Sequence, residues 1–318
     1  MSSIFTLSIV QSAFELGCIY SLVALALFVS FSILNIADLS TDGCFTLGCA
    51  VGAMVTMSGH PFLAFPAAIF AGTLSGFVTA FLQTRMGVPS ILAGIIVNTG
   101  LYTVNIAVMD FSSNVNLFAC DTVFGLAKGL CTADWYGAWY KIMIVAAIVL
   151  SAGLILTWFL NTRLGLSIRA TGDNEYMVRA SSINPVFTVT VGLCVSNSLT
   201  ALAGAILAQY QKSCDINLGT GMVTIALASL IIGETIIGRG GMFRKVIGVI
   251  LGSCLYRLIV AVALRLSVPA ECLKLVSALI VAVAIAFPYL KGQAAFYRMR
   301  KMPLGIGEKT GKGGGGLC

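Results

Sequence analysis

Charge is what this sequence lacks most. Only 10% of its 318 residues are charged, while 58% are hydrophobic and the mean hydropathy is +0.98. A soluble domain carries roughly 25% charged residues, so this composition excludes a soluble domain and leaves a polytopic membrane protein. Histidine is nearly absent: the single His60 precedes Pro61 at a turn and reads as a surface residue, so no His-built metal site is expected. Ten cysteines are present, but none in CxxC spacing. Cys18, Cys44, Cys49, Cys194, Cys254 and Cys272 lie within or beside apolar stretches, where a thiol acts as a small hydrophobe. Cys120 and Cys131 share one polar loop and pair only if that loop faces an oxidising side.

Catalytic motifs are missing too. There is no HExxH, no nucleophile elbow and no complete phosphate loop. The tail contains GEKTGKG (Gly307–Gly313), in which the glycine spacing is one short and Gly313 replaces the hydroxyl residue. No catalytic residue, metal or cofactor is expected in this chain. The start, MSSIFTLSIV, lacks a basic n-region and reads as the first span rather than a removed signal.

What is present is apolar length. Nine hydrophobic segments lie near 5–34, 43–58, 61–84, 88–109, 138–160, 186–209, 219–238, 246–264 and 270–290. A helix needs roughly 20 residues to cross the hydrocarbon. The expectation is an all-α polytopic fold of eight to ten spans. The second segment, GCFTLGCAVGAMVTMS, is short and rich in small residues, and reads as broken or re-entrant. Residues 1–290 form the transmembrane domain and 291–318 a flexible basic tail.

The net charge of +7 follows topology rather than nucleic acid. With the polar island 161–185 placed in the cytoplasm, most of the 19 basic residues fall on the same side. These include Arg85, Arg163, Arg169, Arg179, Arg239, Arg244, Lys245 and the tail. The N-terminus is then outside, the C-terminus cytoplasmic, and 110–136 a large outer loop. FLQTRMG (Phe81–Gly87) is echoed by FLNTRLG (Phe159–Gly165), each closing a segment. That echo is either a common stop signal or a repeated half.

Polar residues inside the segments come next. Glu15, Glu234 and Arg257 are ionisable at membrane depth, where charge is costly. Glu234 is expected to reach Arg239 or Arg244, and Arg257 to be balanced by Glu15 or Glu271. Asp38 and Asp42 are placed in the cytoplasmic loop before the second segment, where capping of that segment by Asp or Thr41 is expected ahead of substrate contact. Asn98, Thr99, Tyr102 and Asn105 form one stripe on the fourth segment. Ser196, Asn197 and Gln209 add polar groups to the sixth. These groups either line a water-filled path or hydrogen-bond between helices.

The island itself contains capping types, Thr171, Asp173 and Asn174, and a short helical stretch, EYMVRASS, stopped by Asn184-Pro185. RLGLSIRATGDNEYMVRASSINP (Arg163–Pro185), followed by NSLTALAGAILAQYQ (Asn197–Gln211), resembles the permeases of ATP-binding-cassette (ABC) importers. The group includes the branched-chain amino acid and ribose permeases. Four further stretches are similar to one subgroup: Ile33–Gly48, Pro89–Ile106, Gly221–Glu234 and Tyr256–Ala284. That subgroup is paired with an extracytoplasmic lipoprotein of a type linked to tryptophan or tyrosine uptake. The resemblance implies that the island is a coupling helix docking in a groove of a separate ATPase subunit. Arg169, Ala170, Gly172, Asn174 and Ala180 stand where the family pattern has R-A, G, N and A. Asp173, Glu175 and Arg179 are then charges for the partner. It also implies a homodimer in the bilayer, a substrate-binding protein outside, and ATP with Mg bound only by the partner. An ion-gradient transporter using Glu15, Glu234 and Arg257 is the rival reading.

Overall fold

In lipid every backbone polar group must be satisfied within the chain, and apolar runs therefore fold as helices. The computed structural model describes residues 7–130, 134–238, 240–265 and six isolated positions between 275 and 286. The tail and most of the ninth segment lie outside the described residues. The remaining eight segments all fall on helices.

Helix α1 (Leu7–Leu27) continues as a π-helical stretch, Phe28–Ile33, and is followed by α2 (Thr41–Met57), α3 (Ala64–Thr84) and α4 (Ser90–Val108). Strand β1 (Asn114–Asn116), α5 (Val123–Leu130) and α6 (Asp134–Leu160) come next. The island carries α7 (Arg163–Asp173) and α8 (Glu175–Ala180). The chain continues with α9 (Pro185–Gln211), β2 (Ser213–Asp215), α10 (Met222–Ile237) and α11 (Met242–Arg265). Among the described residues six helices are long and apolar enough to cross a membrane, and α2 and α10 are shorter apolar helices.

Helix α9 is the central post. Its buried face carries small residues, which let backbones approach closely. Helix α2 runs parallel to it. The Cys44 thiol donates to Asn197 O at 3.3 Å, the Cys49 thiol to Gly204 O at 3.1 Å, and Gln209 Nε2 to Thr56 Oγ1 at 3.1 Å. These partners advance together along both helices. Between them Gly48 and Gly52 abut Ala201 and Ala205, and a Cβ on Gly48 would strike the Ala201 backbone. Helix α3 packs antiparallel on the same post, with Gly72 against Asn197 and Ala201 and Gly76 against Leu193 and Cys194. Helices α10 and α11 form a second close pair, Gly233 on Gly248 and Gly252 on Ser229.

The short helices start inside the bundle rather than at its ends. Asn197 lies about 18 Å along α9, a helix of about 40 Å. The first turn of α2 meets that middle point. Residues 34–40 therefore climb back from the island end, where Ile33 touches Gly172, to mid-depth. Asp38 and Asp42 accordingly sit near the middle and not in a cytoplasmic loop. The second segment is re-entrant in this sense. The seventh shares the feature, which its sequence did not announce. β2 pairs antiparallel with β1 at the end opposite the island, Val115 facing Cys214. Residues 216–221 then descend to mid-depth before α10 begins.

The two echoed heptapeptides play different parts. In the first, Arg85 closes α3 and Gly87 adopts φ +68°. In the second, Thr162 caps the new helix α7 by accepting from Gly165 N at 3.3 Å.

Candidate functional site

At the meeting of α2, α4 and residues 216–220 lies a cavity of ≈ 290 Å³. Asn98, Thr99, Tyr102 and Asn105 of α4 all line it, so the whole predicted stripe faces one space. Asp42, Thr46, Asn217 and Thr220 complete its polar wall. Tyr102 is 51% exposed and Thr99 is exposed, so the cavity opens sideways along α4.

Asp42 is the hinge of this arrangement. Its carboxylate accepts from Gly221 N at 3.0 Å and Val223 N at 2.9 Å. Those amides are orphan donors of the first turn of α10, and an anionic acceptor there also suits the helix dipole. Gly221 adopts φ +86°, a left-handed conformation that favours glycine. Thr46 Oγ1 accepts from Gly219 N at 3.1 Å and thereby pins the approach to α10. Capping by Asp42 was expected on its own helix; the structure turns it to α10 instead, because the descending segment 216–221 ends against α2. Ser40 stands at the N-cap of α2, and no side chain caps it there.

Behind the cavity is a buried polar cluster. Asp38, 2% exposed, accepts from Ser40 N at 2.9 Å, Ser40 Oγ at 2.6 Å and Asn197 Nδ2 at 3.0 Å. Asn197 is thus enclosed between α2 and α9 and is not among the cavity-lining residues. Ser196 donates to Ala26 O at 2.8 Å. Gln209 donates to Pro61 O at 2.9 Å and accepts from Val123 N at 3.2 Å. The polar groups of α9 therefore hold helices together. Asn105 donates to Gly43 O at 3.1 Å, while its buried Oδ1 finds no donor among the described residues.

None of the three intramembrane charges lines this cavity. Glu15 accepts from Tyr210 Oη at 2.6 Å and Gln11 Nε2 at 3.2 Å, not from Arg257. A phenol and an amide on adjoining helical surfaces satisfy the carboxylate without a second buried charge. Arg257 lies over the Tyr20 ring, 3.9 Å from its centroid, an attraction between a cation and the face of a π-system. Glu234 accepts from Ser32 Oγ at 2.7 Å. It makes no ion pair with Arg244 among the described residues, because it turns toward the π-helical end of α1. Arg239, Glu271 and Cys131 lie outside those residues, and with Cys131 its pairing to Cys120.

The island folds as two helices where one was expected. Asn174, at φ −160° and ψ 102°, breaks them apart. It caps α8, its Oδ1 accepting from Tyr176 N at 3.0 Å and Met177 N at 3.2 Å. Ile168 and Val178 are buried and anchor the pair to the bundle. Gly172 abuts Ile33, so its small size serves a contact within the chain. Thr171 Oγ1 and Thr188 Oγ1 lie 2.8 Å apart at the same seam. Asp173, Glu175, Arg179 and Ala180 are exposed, and Arg169 and Ala170 partly so. Glu175 and Arg179 pair at 2.6 Å on the surface, a contact worth little to stability. Tyr176 and Met177 are 85% and 65% exposed, an apolar tip on a polar island.

The sequence matches the family model of the branched-chain amino acid transport system permease component over residues 9–286. It is 31% identical over 269 residues to a tyrosine transport system permease protein of Clostridioides difficile, covering 84% of this chain and 87% of that one. It is 26% identical over 226 residues to a ribose import permease of Haemophilus influenzae, covering 67% and 66%. Its fold is similar to that of an inward-facing metal-chelate type ABC transporter, with a TM-score of 0.50, 18% identity, and coverage of 90% of this chain and 85% of that chain.

Proposed function

The chain belongs to the branched-chain amino acid transport permease family, and from that premise we propose that it is the transmembrane subunit of an ATP-driven importer of an amino acid. Similarity to a tyrosine permease favours an aromatic one. The observation that carries the reading is the mid-depth cavity. A polar space of ≈ 290 Å³ in the middle of an apolar bundle is costly unless a polar solute uses it. It opens along the exposed face of α4, and a second copy applied there encloses it as one path between two subunits.

ATP and Mg are handled by a separate ATPase subunit. The exposed tip Tyr176-Met177, flanked by Glu175 and Arg179, is the surface offered to it, with Asn174 fixing the angle of α8. Closure of the ATPase pair on ATP moves this tip. The buried Ile168 and Val178, with Gly172 against Ile33, carry that movement to the core. A substrate-binding protein delivers the solute at the other end, beside the β1–β2 ribbon. Residues 291–318 are the cytoplasmic tail.

The test is reconstitution of the permease with its ATPase and binding protein in proteoliposomes. Labelled tyrosine uptake is expected to require ATP and to survive an ionophore. Uptake that needs no ATP and collapses with the ionophore would sink this reading in favour of the ion-driven one.

A further inference from the structure

A second cavity lies at the island end, between the end of α3 and the start of α9. It measures ≈ 510 Å³. Phe77, Phe81 and Phe187 wall it, each about half exposed, with the Phe77 and Phe81 rings 6.5 Å apart. Its polar end carries Arg85 and Asn184. Asn184 Oδ1 accepts from Val186 N at 3.0 Å, which leaves the amide's Nδ2 as a donor. No acidic residue lines the groove, and Arg85 makes no ion pair among the described residues.

From Phe77 to Arg85 the groove spans about 12 Å along the helix axis. It passes from aromatic to cationic in that distance, along the direction in which a bilayer passes from acyl chain to headgroup. A basic pocket between helices at the membrane boundary suits an anionic headgroup. We propose that this groove holds one anionic phospholipid, its phosphate on Arg85 and Asn184 and an acyl chain against the three phenylalanines. A second copy of the chain fits less well. The acidic groups Glu15, Asp38 and Asp42 are held by hydrogen bonds within the bundle, and Glu234, exposed, is held by Ser32, so none of the four is left without a partner for Arg85.

The test is native mass spectrometry of the purified full chain after exchange into dioleoyl phosphatidylglycerol or dioleoyl phosphatidylcholine. The wild type is expected to retain one phosphatidylglycerol per chain through delipidation, and phosphatidylcholine several-fold less. Arg85→Gln, at an exposed position, is expected to lower phosphatidylglycerol retention roughly five-fold, the factor one basic residue gives at an anionic surface. Phe81→Trp, which fills the groove, is expected to lower it without altering Arg85. Inorganic phosphate at millimolar concentration is expected not to displace the lipid. Equal retention of both lipids, unchanged retention in Arg85→Gln, or displacement by phosphate alone overturns the proposal. So does a change of oligomeric state in both variants with lipid retention intact, which assigns the groove to a second copy.

Discussion

Asp42 Oδ1 accepts a hydrogen bond from the amide of Val223 at 2.9 Å, across 181 residues of chain. The first turn of α2 thus holds the first turn of α10. Two helix N-termini with like dipoles meet at mid-depth, and a single carboxylate lies between them. The polar wall of the central cavity is built around that bond.

Removing the carboxylate leaves two amides of α10 without an acceptor. Asp42→Ala is expected to destabilise the protein by roughly 2–4 kcal/mol, since hydrogen bonds to a charged group and a buried donor are both lost. Thermal unfolding in detergent measures this. Asp38→Ala, which empties the cluster behind the cavity, is expected to act at the α2–α9 seam instead. An Asp42→Ala protein as stable as wild type would show that α10 is held by packing alone.

Glycine contacts separate seam from surface. Gly48→Ala forces a Cβ onto the Ala201 backbone and is expected to cost at least the ~1–3 kcal/mol of core overpacking. Gly100→Ala has nothing within 4 Å of its new Cβ and is expected to be neutral or to gain up to about 1 kcal/mol of helix propensity. Gly48→Ala should therefore lower the melting temperature and Gly100→Ala should not. A Gly48→Ala protein that melts no lower than wild type would mean that α2 is not seated on α9 as described.

The island divides in the same way. Tyr176→Ala with Met177→Ser is expected to leave the melting temperature of the permease unchanged while reducing the ATPase subunit recovered with it about ten-fold or more, as loss of exposed apolar anchors does. Gly172→Ala is expected to lower the melting temperature of the permease itself, because its Cβ meets Ile33. Retention of the ATPase by the first variant would move the docking surface away from α8.

Much of this was legible in the residues. Apolar length placed eight helices, and the short second segment declared itself through its small residues. The i, i+1, i+4, i+7 spacing put Asn98, Thr99, Tyr102 and Asn105 on one face, and the structure gives that face a cavity. What stayed hidden was depth. Asp38 and Asp42 look like loop residues, since the small residues mark the second segment as unusual but not the depth at which its helix begins. Asn197 looks like a path residue, because its partner Asp38 lies 159 positions away. Glu15 is not matched to Arg257, nor Glu234 to Arg244, for a related reason. Opposite charge is the obvious partner on paper, but Tyr210 and Ser32 are the donors that the packing brings to these carboxylates.

Helix α2 runs from the middle of the bundle to the end opposite the island, and α10 from the middle to the island. Their first turns meet at the waist, where Asp42 pins one half-length helix to the other. A continuous post tilts as a whole, so opening one side necessarily disturbs the other. A divided one lets the upper half lean while the lower half stands, and the reverse. The pin at Asp42 is then the place where the two halves meet, and a tilt of either is felt there first.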